Sequence, residues 1–364
     1  MTTTSSGITP AMAPPHGLQS NFVDPPTMMS IAIAGTAIIH LFTIPFVFAR
    51  AYVNAFVTKK LHIEDYLCYL SYTGCIAYTA AIVRAESVGM ARHMWDMPLS
   101  AFTNILYICN IVFVCYTATG GLAKTMVFLQ LKKIFTTGAY DAVFWVIVVS
   151  LVANAIFYTA MLFLYIFTCW PREKIWNSTV KGHCLDSNKL NIAMGTLNVI
   201  SDMEAFAVPL WAIWHLSMEL KRKIGVFAIF GVGAVAVVIG AVGLYYRIVL
   251  LEQPDFSWLL TQAGLICMAE LAIVIIVGCC PYVPRFLHII RLRGAENSNT
   301  AEKRSSIPWK PTARLNTFDK YLTTRSGMTK LEPTNSEECV EMHQYKDIAL
   351  QKPGCIAKGS ANVR

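Results

Sequence analysis

The chain has 364 residues, of which 55% are hydrophobic and only 14% charged, and its formal net charge is +8. Soluble domains carry about 25% charged residues, so this composition indicates a membrane protein and excludes an ordinary soluble domain. The expected surroundings are membrane lipid, and no nucleic-acid partner is expected.

Apolar runs of membrane-spanning length recur along the chain, each about 20 residues or longer. Seven such runs predict an all-α, seven-transmembrane helix bundle. The runs lie at 28–49, 64–85, 104–129, 141–167, 191–215, 225–249 and 259–283.

Three regions follow from these runs. Residues 1–27 are predicted to be a short extracellular segment, and residues 28–284 a seven-helix membrane domain. Residues 285–364 are polar and basic with scattered Pro and Gly, which predicts a disordered cytoplasmic tail.

Basic residues in the short loops predict the orientation of the bundle. One side holds eleven Lys and Arg residues and the other holds five. Cytoplasmic loops carry the excess of Lys and Arg, so the N-terminus is predicted outside and the C-terminus in the cytoplasm. The plasma membrane is the expected location. The eleven are Arg50, Lys59, Lys60, Lys132, Lys133, Lys221, Arg222, Lys223, Arg285, Arg291 and Arg293.

The longest predicted outer loop, 168–190, holds two cysteines and a glycosylation sequon. Cys169 and Cys184 are the only cysteines in an outer loop, so an oxidising exterior favours a disulfide between them over two free thiols. Asn177 begins the sequon and is a candidate glycosylation site. The sequence has no C-x-x-C pair, so no metal site is expected.

Acidic residues inside the predicted helices are candidate site residues, because a charged side chain at the bilayer centre is costly. Asn198, Asp202 and Pro209 share one face of the fifth predicted helix, whereas Glu204 lies on a different face. Glu270 in the seventh helix is predicted at the same depth as Asp202, about 20 Å from the inner end.

Lys124 is the only lysine within an apolar run, and two interpretations of it remain open. It lies about 8 Å from the predicted inner end of the third helix, so it can snorkel to the headgroups. Alternatively, it pairs with Glu64 or Asp65, acids that themselves suit either a helix N-terminus or a polar network. At this depth Lys124 is about 12 Å too far from Asp202 to pair with it. The polar centre is therefore predicted to be Asp202 facing Glu270, with at least one proton bound.

A loop between the second and third helices is rich in residues typical of binding sites. It contains Arg92, His93 and Trp95. Trp95 is equally typical of an anchor at the membrane interface.

The order of several motifs resembles one family, the fungal rhodopsin-like integral membrane proteins, which include Pth-type receptor-like proteins and the satratoxin-cluster membrane protein group. The resemblance covers about residues 28–288. The similar residues are Arg50 with Glu64-Asp65-Tyr66, Gly89 to His93 with Trp95, Lys124 with Lys133-Ile134-Phe135, Cys169-Trp170-Pro171 with Trp176 and Cys184, Asn198 with Asp202, Pro209 and Trp211, and Glu270 with Cys280-Pro281.

The resemblance implies a receptor-like sensor or an accessory protein of a fungal secondary-metabolite pathway. Its expected partners are a small-molecule ligand outside and a cytoplasmic signalling protein that contacts the loops and tail. No cofactor is expected, and no retinal in particular, because residues 259–283 contain no lysine for a Schiff base. The alternative function is a membrane-embedded biosynthetic enzyme of the acid-driven cyclase type that uses Asp202 and Glu270.

Overall fold

The computed structural model describes residues 9–135, 142–177, 179–214 and 220–292, and its architecture is helical. The prediction of an all-α chain is confirmed. Seven long helices follow one another: α1 Met29–Tyr52, α2 Ile63–Ala85, α3 Leu99–Phe135, α4 Ala142–Ile166, α5 Ser187–Trp214, α6 Leu220–Glu252 and α7 Phe256–Cys279. Residues 285–292 of the predicted disordered tail are helical, and the rest of the tail, 293–364, lies outside the described residues.

Six of the helices are long and apolar enough to cross a membrane, counted over the described residues. These are α1 to α4, α6 and α7. The helix outside this set, α5, carries Asn191, Asn198, Asp202 and Glu204. Two helices form the centre of the bundle, because α3 packs against α2, α4, α5 and α7, while α7 packs against α1, α2, α3 and α6.

Several helices extend beyond the apolar runs that predicted them. A π-helical turn, Val53–Thr58, continues α1, and helical structure continues α7 as far as Leu292. In α3 the helix reaches Phe135, whereas the apolar run ends at residue 129. The helix passes through Lys132 and Lys133 before it ends, so hydropathy alone placed its end too early.

A small disulfide-linked hairpin marks one end of the bundle. Strand β1, Cys169–Trp170, pairs antiparallel with strand β2, His183–Cys184, and the predicted disulfide Cys169–Cys184 is confirmed. A cross-link that closes a loop of this length is worth about 3 kcal/mol. We call this the disulfide end of the bundle.

The opposite end is held together by a buried arginine, and we call it the Arg50 end. Arg50 is fully buried, and its Nε donates to Asp65 Oδ1 at 2.9 Å while its Nη1 donates to the carbonyl of Gly278 at 2.8 Å. Tyr282 also donates to Asp65, at 3.2 Å. The other oxygen of Asp65 accepts the backbone N–H of His62 at 2.9 Å. Asp65 therefore both caps α2 and joins a polar network, the two roles that the sequence left open.

Residues 9–28 lie along the loop between α2 and α3. Backbone hydrogen bonds join Ala11 to Met97 and Met28 to Ala91, both at 2.9 Å. The backbone N–H of Asn21 donates to the buried carboxylate of Asp96 at 2.8 Å. The segment before α1 is therefore part of the packed structure at the disulfide end.

Candidate functional site

The centre of the bundle contains an ion pair between α3 and α5. Lys124 Nζ donates to Asp202 Oδ1, and the two residues are only 2% and 5% exposed. Asn198, one turn from Asp202, accepts from Lys124 through its backbone carbonyl at 3.3 Å. Tyr158 of α4 donates to the Asn198 side chain at 2.6 Å. Three helices thus meet around one buried lysine.

Both interpretations of Lys124 drawn from the sequence are wrong, as is the expectation that it lies too far from Asp202. Lys124 is buried in the bundle, Asp65 pairs with Arg50, and Glu64 lies 3.7 Å from Lys133. The reason is the length of α3. Its end at Phe135 places Lys124 about 16 Å from that end, twice the predicted distance.

A second buried acid, Glu270 of α7, contacts an arginine and a tyrosine. Tyr116 donates to Glu270 Oε2 at 2.9 Å, and Arg247 Nη2 lies 3.9 Å from the same oxygen. Arg247 also lies over the Tyr116 ring at 5.1 Å and donates to Cys267 Sγ at 3.2 Å. These contacts tie α3, α6 and α7 together.

The two acids lie on either side of one glycine of α6. A methyl group added to Gly240 would lie 3.2 Å from Asp202 Oδ2 and 3.9 Å from Glu270 Oε1. The structure thus brings Asp202 and Glu270 to the same level of the bundle. Each acid also has a basic partner, Lys124 or Arg247, which the prediction of an acid facing an acid with at least one proton bound did not include. We call Tyr116, Lys124, Asp202, Arg247 and Glu270 the charged layer.

A cavity of about 40 Å³ adjoins the charged layer on the side of the disulfide end. Tyr78, Tyr116, Tyr165, Asn191 and Arg247 supply its polar lining, and the remaining lining is mostly apolar. Its volume holds about two or three water molecules. A second cavity of about 30 Å³ is lined by Lys124 and Asp202 themselves. The charged layer is therefore bordered by space into which its side chains can move.

The loop residues singled out in the sequence form a separate cluster at the disulfide end. The His93 ring stacks between Trp95, at 4.5 Å, and Trp258, at 4.0 Å. His93 Nδ1 lies 2.5 Å from Asp255 Oδ2. The backbone carbonyl of Arg92 accepts from Ser257 at 2.6 Å. Trp95 therefore packs within this cluster, which fastens the loop to the start of α7.

Sequence reasoning misses three members of the site. From the sequence, Arg247 is expected to end the sixth helix near the outer face. No sequence pattern singles out Tyr116 or Tyr158. One signal is present: Gly240, Gly243 and Arg247 follow helical spacing, so the small-residue face of α6 continues directly into its arginine. In the structure both glycines border Glu270.

The fold and the charged layer define an α-helical, multi-pass membrane protein. The model of the fungal rhodopsin domain matches residues 49–289, and the chain belongs to this family.

Curated relatives from three fungi are similar to the chain. It is 27% identical over 344 residues to "Fugralins biosynthesis cluster protein 2" of Gibberella zeae. That alignment covers 92% of this chain and 83% of the relative. A "SAT4 family membrane protein" of Emericella nidulans is 26% identical over 247 residues, 63% of this chain and 60% of that protein. "Satratoxin biosynthesis SC1 cluster protein 4" of Stachybotrys chartarum is 28% identical over 123 residues, 34% and 44% of the two chains. The last two matches span less than two thirds of those proteins.

Proposed function

We propose that the chain is a receptor-like sensor of a fungal secondary-metabolite pathway. A small molecule binds beside Arg247 by widening the cavity of about 40 Å³, which otherwise holds only two or three water molecules. In this proposal α5 is the seventh membrane crossing and the disulfide end faces outward. The membrane is the plasma membrane, and the Arg50 end and residues 293–364 face the cytoplasm. A cytoplasmic signalling protein contacts them there. Two of the three relatives are named after biosynthetic clusters, which supports the link to such a pathway.

One observation carries the proposal: the residues that line the cavity also hold the charged layer. Tyr116 and Arg247 line the cavity, and both contact Glu270. A ligand that accepts a hydrogen bond from Arg247 competes with Glu270, which Arg247 reaches only at 3.9 Å. Binding then changes the contacts between α6 and α7. A change in one ligand-dependent contact is the physical basis of a conformational response.

The orientation is supported by the loop charges and by the sequon. Asn177 is exposed, and its side chain accepts the backbone N–H of Thr179 at 3.2 Å. The described part of this loop therefore leaves the acceptor asparagine accessible at the disulfide end.

We expect Asn177 to carry a glycan in the native fungal membrane, because only a loop that faces outward meets the glycosylation machinery. Treatment with an N-glycosidase should lower the apparent mass, and Asn177→Gln should remove the difference. An Asn188→Gln variant, which lies outside the sequon, serves as the matched control and should keep the glycan. Labelling of an Asn177→Cys variant by a thiol reagent applied from the cytosolic side of sealed vesicles would contradict this orientation.

Ligand binding is expected to stabilise the purified protein in nanodiscs. Screening small oxygen-bearing metabolites by thermal unfolding should reveal a compound that stabilises by about 2.7 kcal/mol at one hundred times its dissociation constant. Arg247→Gln should weaken this binding about 10-fold to 100-fold, because a charged hydrogen bond is worth about 1.5–3 kcal/mol. Each variant is compared with its own unliganded baseline.

Two variants sharpen that measurement. Arg84→Gln removes an exposed arginine of α2 and should leave binding unchanged. Val112→Phe fills the cavity with a larger side chain and should abolish binding without removing a charge. If the compound stabilised Arg247→Gln and Val112→Phe as much as the unchanged chain, it would bind elsewhere.

The enzyme alternative requires a proton-donating carboxyl group that faces a substrate. Asp202 instead faces Lys124, and Glu270 accepts a hydrogen bond from Tyr116. These contacts favour the sensor. Metabolite profiling of isolated membranes with Asp202→Asn distinguishes the two, since only an enzyme would lose one specific transformation.

A further inference from the structure

Glu204 is the acid on α5 that the charged layer does not use. It is only partly buried, and the structure gives it no hydrogen bond or ion pair with any residue it describes. Its neighbours on the same face of α5, Ile200 and Met203, are exposed. In a membrane-spanning α5 this face meets the lipid. A carboxyl group facing hydrocarbon costs about 2.5–3.5 kcal/mol, so its occurrence calls for a partner.

We propose that the groove around Glu204 binds a lipophilic amine that enters from the bilayer. The groove lies between α5 and α6 and has a volume of about 660 Å³. Ligand pockets usually measure about 300–1,000 Å³, so this groove, which is open on one side, has room for a ligand. We call it the Glu204 groove; it is lined by Ile200, Met203, Glu204, Phe206, Ala207, Ala234 and Val237.

The chemistry of the lining identifies the ligand. All lining residues except Glu204 are hydrocarbon, aromatic or thioether, so they suit an apolar body. Among the lining residues that the structure describes, Glu204 is the single polar group, and it accepts hydrogen bonds when ionised. A protonated amine supplies both the donor and the opposite charge, and charge-assisted hydrogen bonds are the strongest of their kind. An apolar molecule with one cationic nitrogen therefore matches the groove.

A second copy of this chain is a poorer match. The exposed side chains described around the groove, Ile200, Met203, Val235 and Val238, carry no cation or N–H donor. Two such faces in contact would leave Glu204 without a positive partner. The groove also lies within the bilayer if α5 crosses it, so its ligand arrives dissolved in lipid. The inference depends on that crossing and not on the cavity beside Arg247.

Photo-labelling of the full chain in nanodiscs tests the proposal. The probes are a long-chain primary amine with a diazirine near the nitrogen, the matching carboxylic acid, and the matching hydrocarbon without a head group. Peptide mass spectrometry locates the labelled residues. We expect the amine to label segments 200–207 and 234–237 at least about tenfold more than the acid does, the ratio expected of a charged hydrogen bond.

Three variants accompany the unchanged chain. Glu204→Gln should lower amine labelling to the level of the hydrocarbon, whereas Glu252→Gln, which changes an exposed acid at the end of α6, should have no effect. Ala207→Phe fills the groove and should remove labelling by the amine. Equal hydrocarbon labelling in Glu204→Gln and the unchanged chain shows that the variant is folded.

Two results would overturn the proposal. One is equal amine labelling of the unchanged chain and Glu204→Gln, and the other is cross-linking of two copies through these segments in place of probe labelling. If the hydrocarbon probe did not label the unchanged chain, the groove would not face lipid. That result would contradict the membrane crossing of α5. The ligand test at Arg247 is unaffected by any of these outcomes.

Discussion

Lys124→Met is expected to destabilise the protein by about 3–5 kcal/mol, because it leaves Asp202 buried without its cation. Methionine preserves most of the length of the lysine stem, so the loss of charge dominates the effect. The measurement is the free energy of unfolding in mixed micelles, followed by tryptophan fluorescence. The effect is large because a headgroup cannot reach this depth, and a water molecule in the adjoining cavity does not neutralise the charge of Asp202.

The matched control is Lys133→Met in the same helix. Lys133 is about half exposed and lies 3.7 Å from Glu64, so its removal should cost at most about 1 kcal/mol. The double variant Lys124→Met with Asp202→Leu should regain most of the stability, since a buried ion pair replaced by hydrophobic residues is often neutral. Equal costs for Lys124→Met and Lys133→Met would mean that the buried ion pair does not hold α3 to α5.

Arg50→Met should have a similar cost, about 3–5 kcal/mol, for a related reason. The substitution leaves Asp65 without its cation and the Gly278 carbonyl without its donor. The expected consequence is loosening of α1, α2 and α7 at the Arg50 end. Hydrogen exchange of the backbone amides in these helices locates the change, and unfolding measures its size.

Arg50→Lys tests whether geometry or charge matters at this position. Lysine keeps the charge but cannot reach Asp65 and Gly278 in two directions at once, as the planar guanidinium does. An intermediate cost, between that of Arg50→Met and the unchanged chain, is expected. Arg84→Met, at an exposed arginine of α2, should change stability by less than about 0.5 kcal/mol. Full stability of Arg50→Lys would show that charge alone suffices.

The sequence predicted the helices and the disulfide because each depends on a local property. Apolar runs of spanning length place the helices, and two cysteines in one outer loop leave a single pairing. Asp202 and Glu270 were also placed at one level, and in the structure both lie beside Gly240.

The partners of those acids could not be predicted, because they depend on where the helices end and how they rotate. The predicted end of α3 was six residues too early, so the predicted depth of Lys124 was wrong by about 9 Å. That error was large enough to exclude its contact with Asp202 from the prediction. The position of Arg247 was not predicted, for a second reason. A basic residue near a predicted helix end normally suggests an interface, and only the packing of α6 against α7 shows that it points inward.

The contacts of residues 9–28 affect how a shortened version of this protein should be designed. The family match begins at residue 49, inside α1, and a chain that started there would lack the strand-like pairing with residues 91–98. Truncation just before α1 would also leave the Asp96 carboxylate without the N–H of Asn21. A shortened chain that keeps these contacts therefore starts no later than Thr9, whose carbonyl accepts the N–H of Leu99 at 3.1 Å.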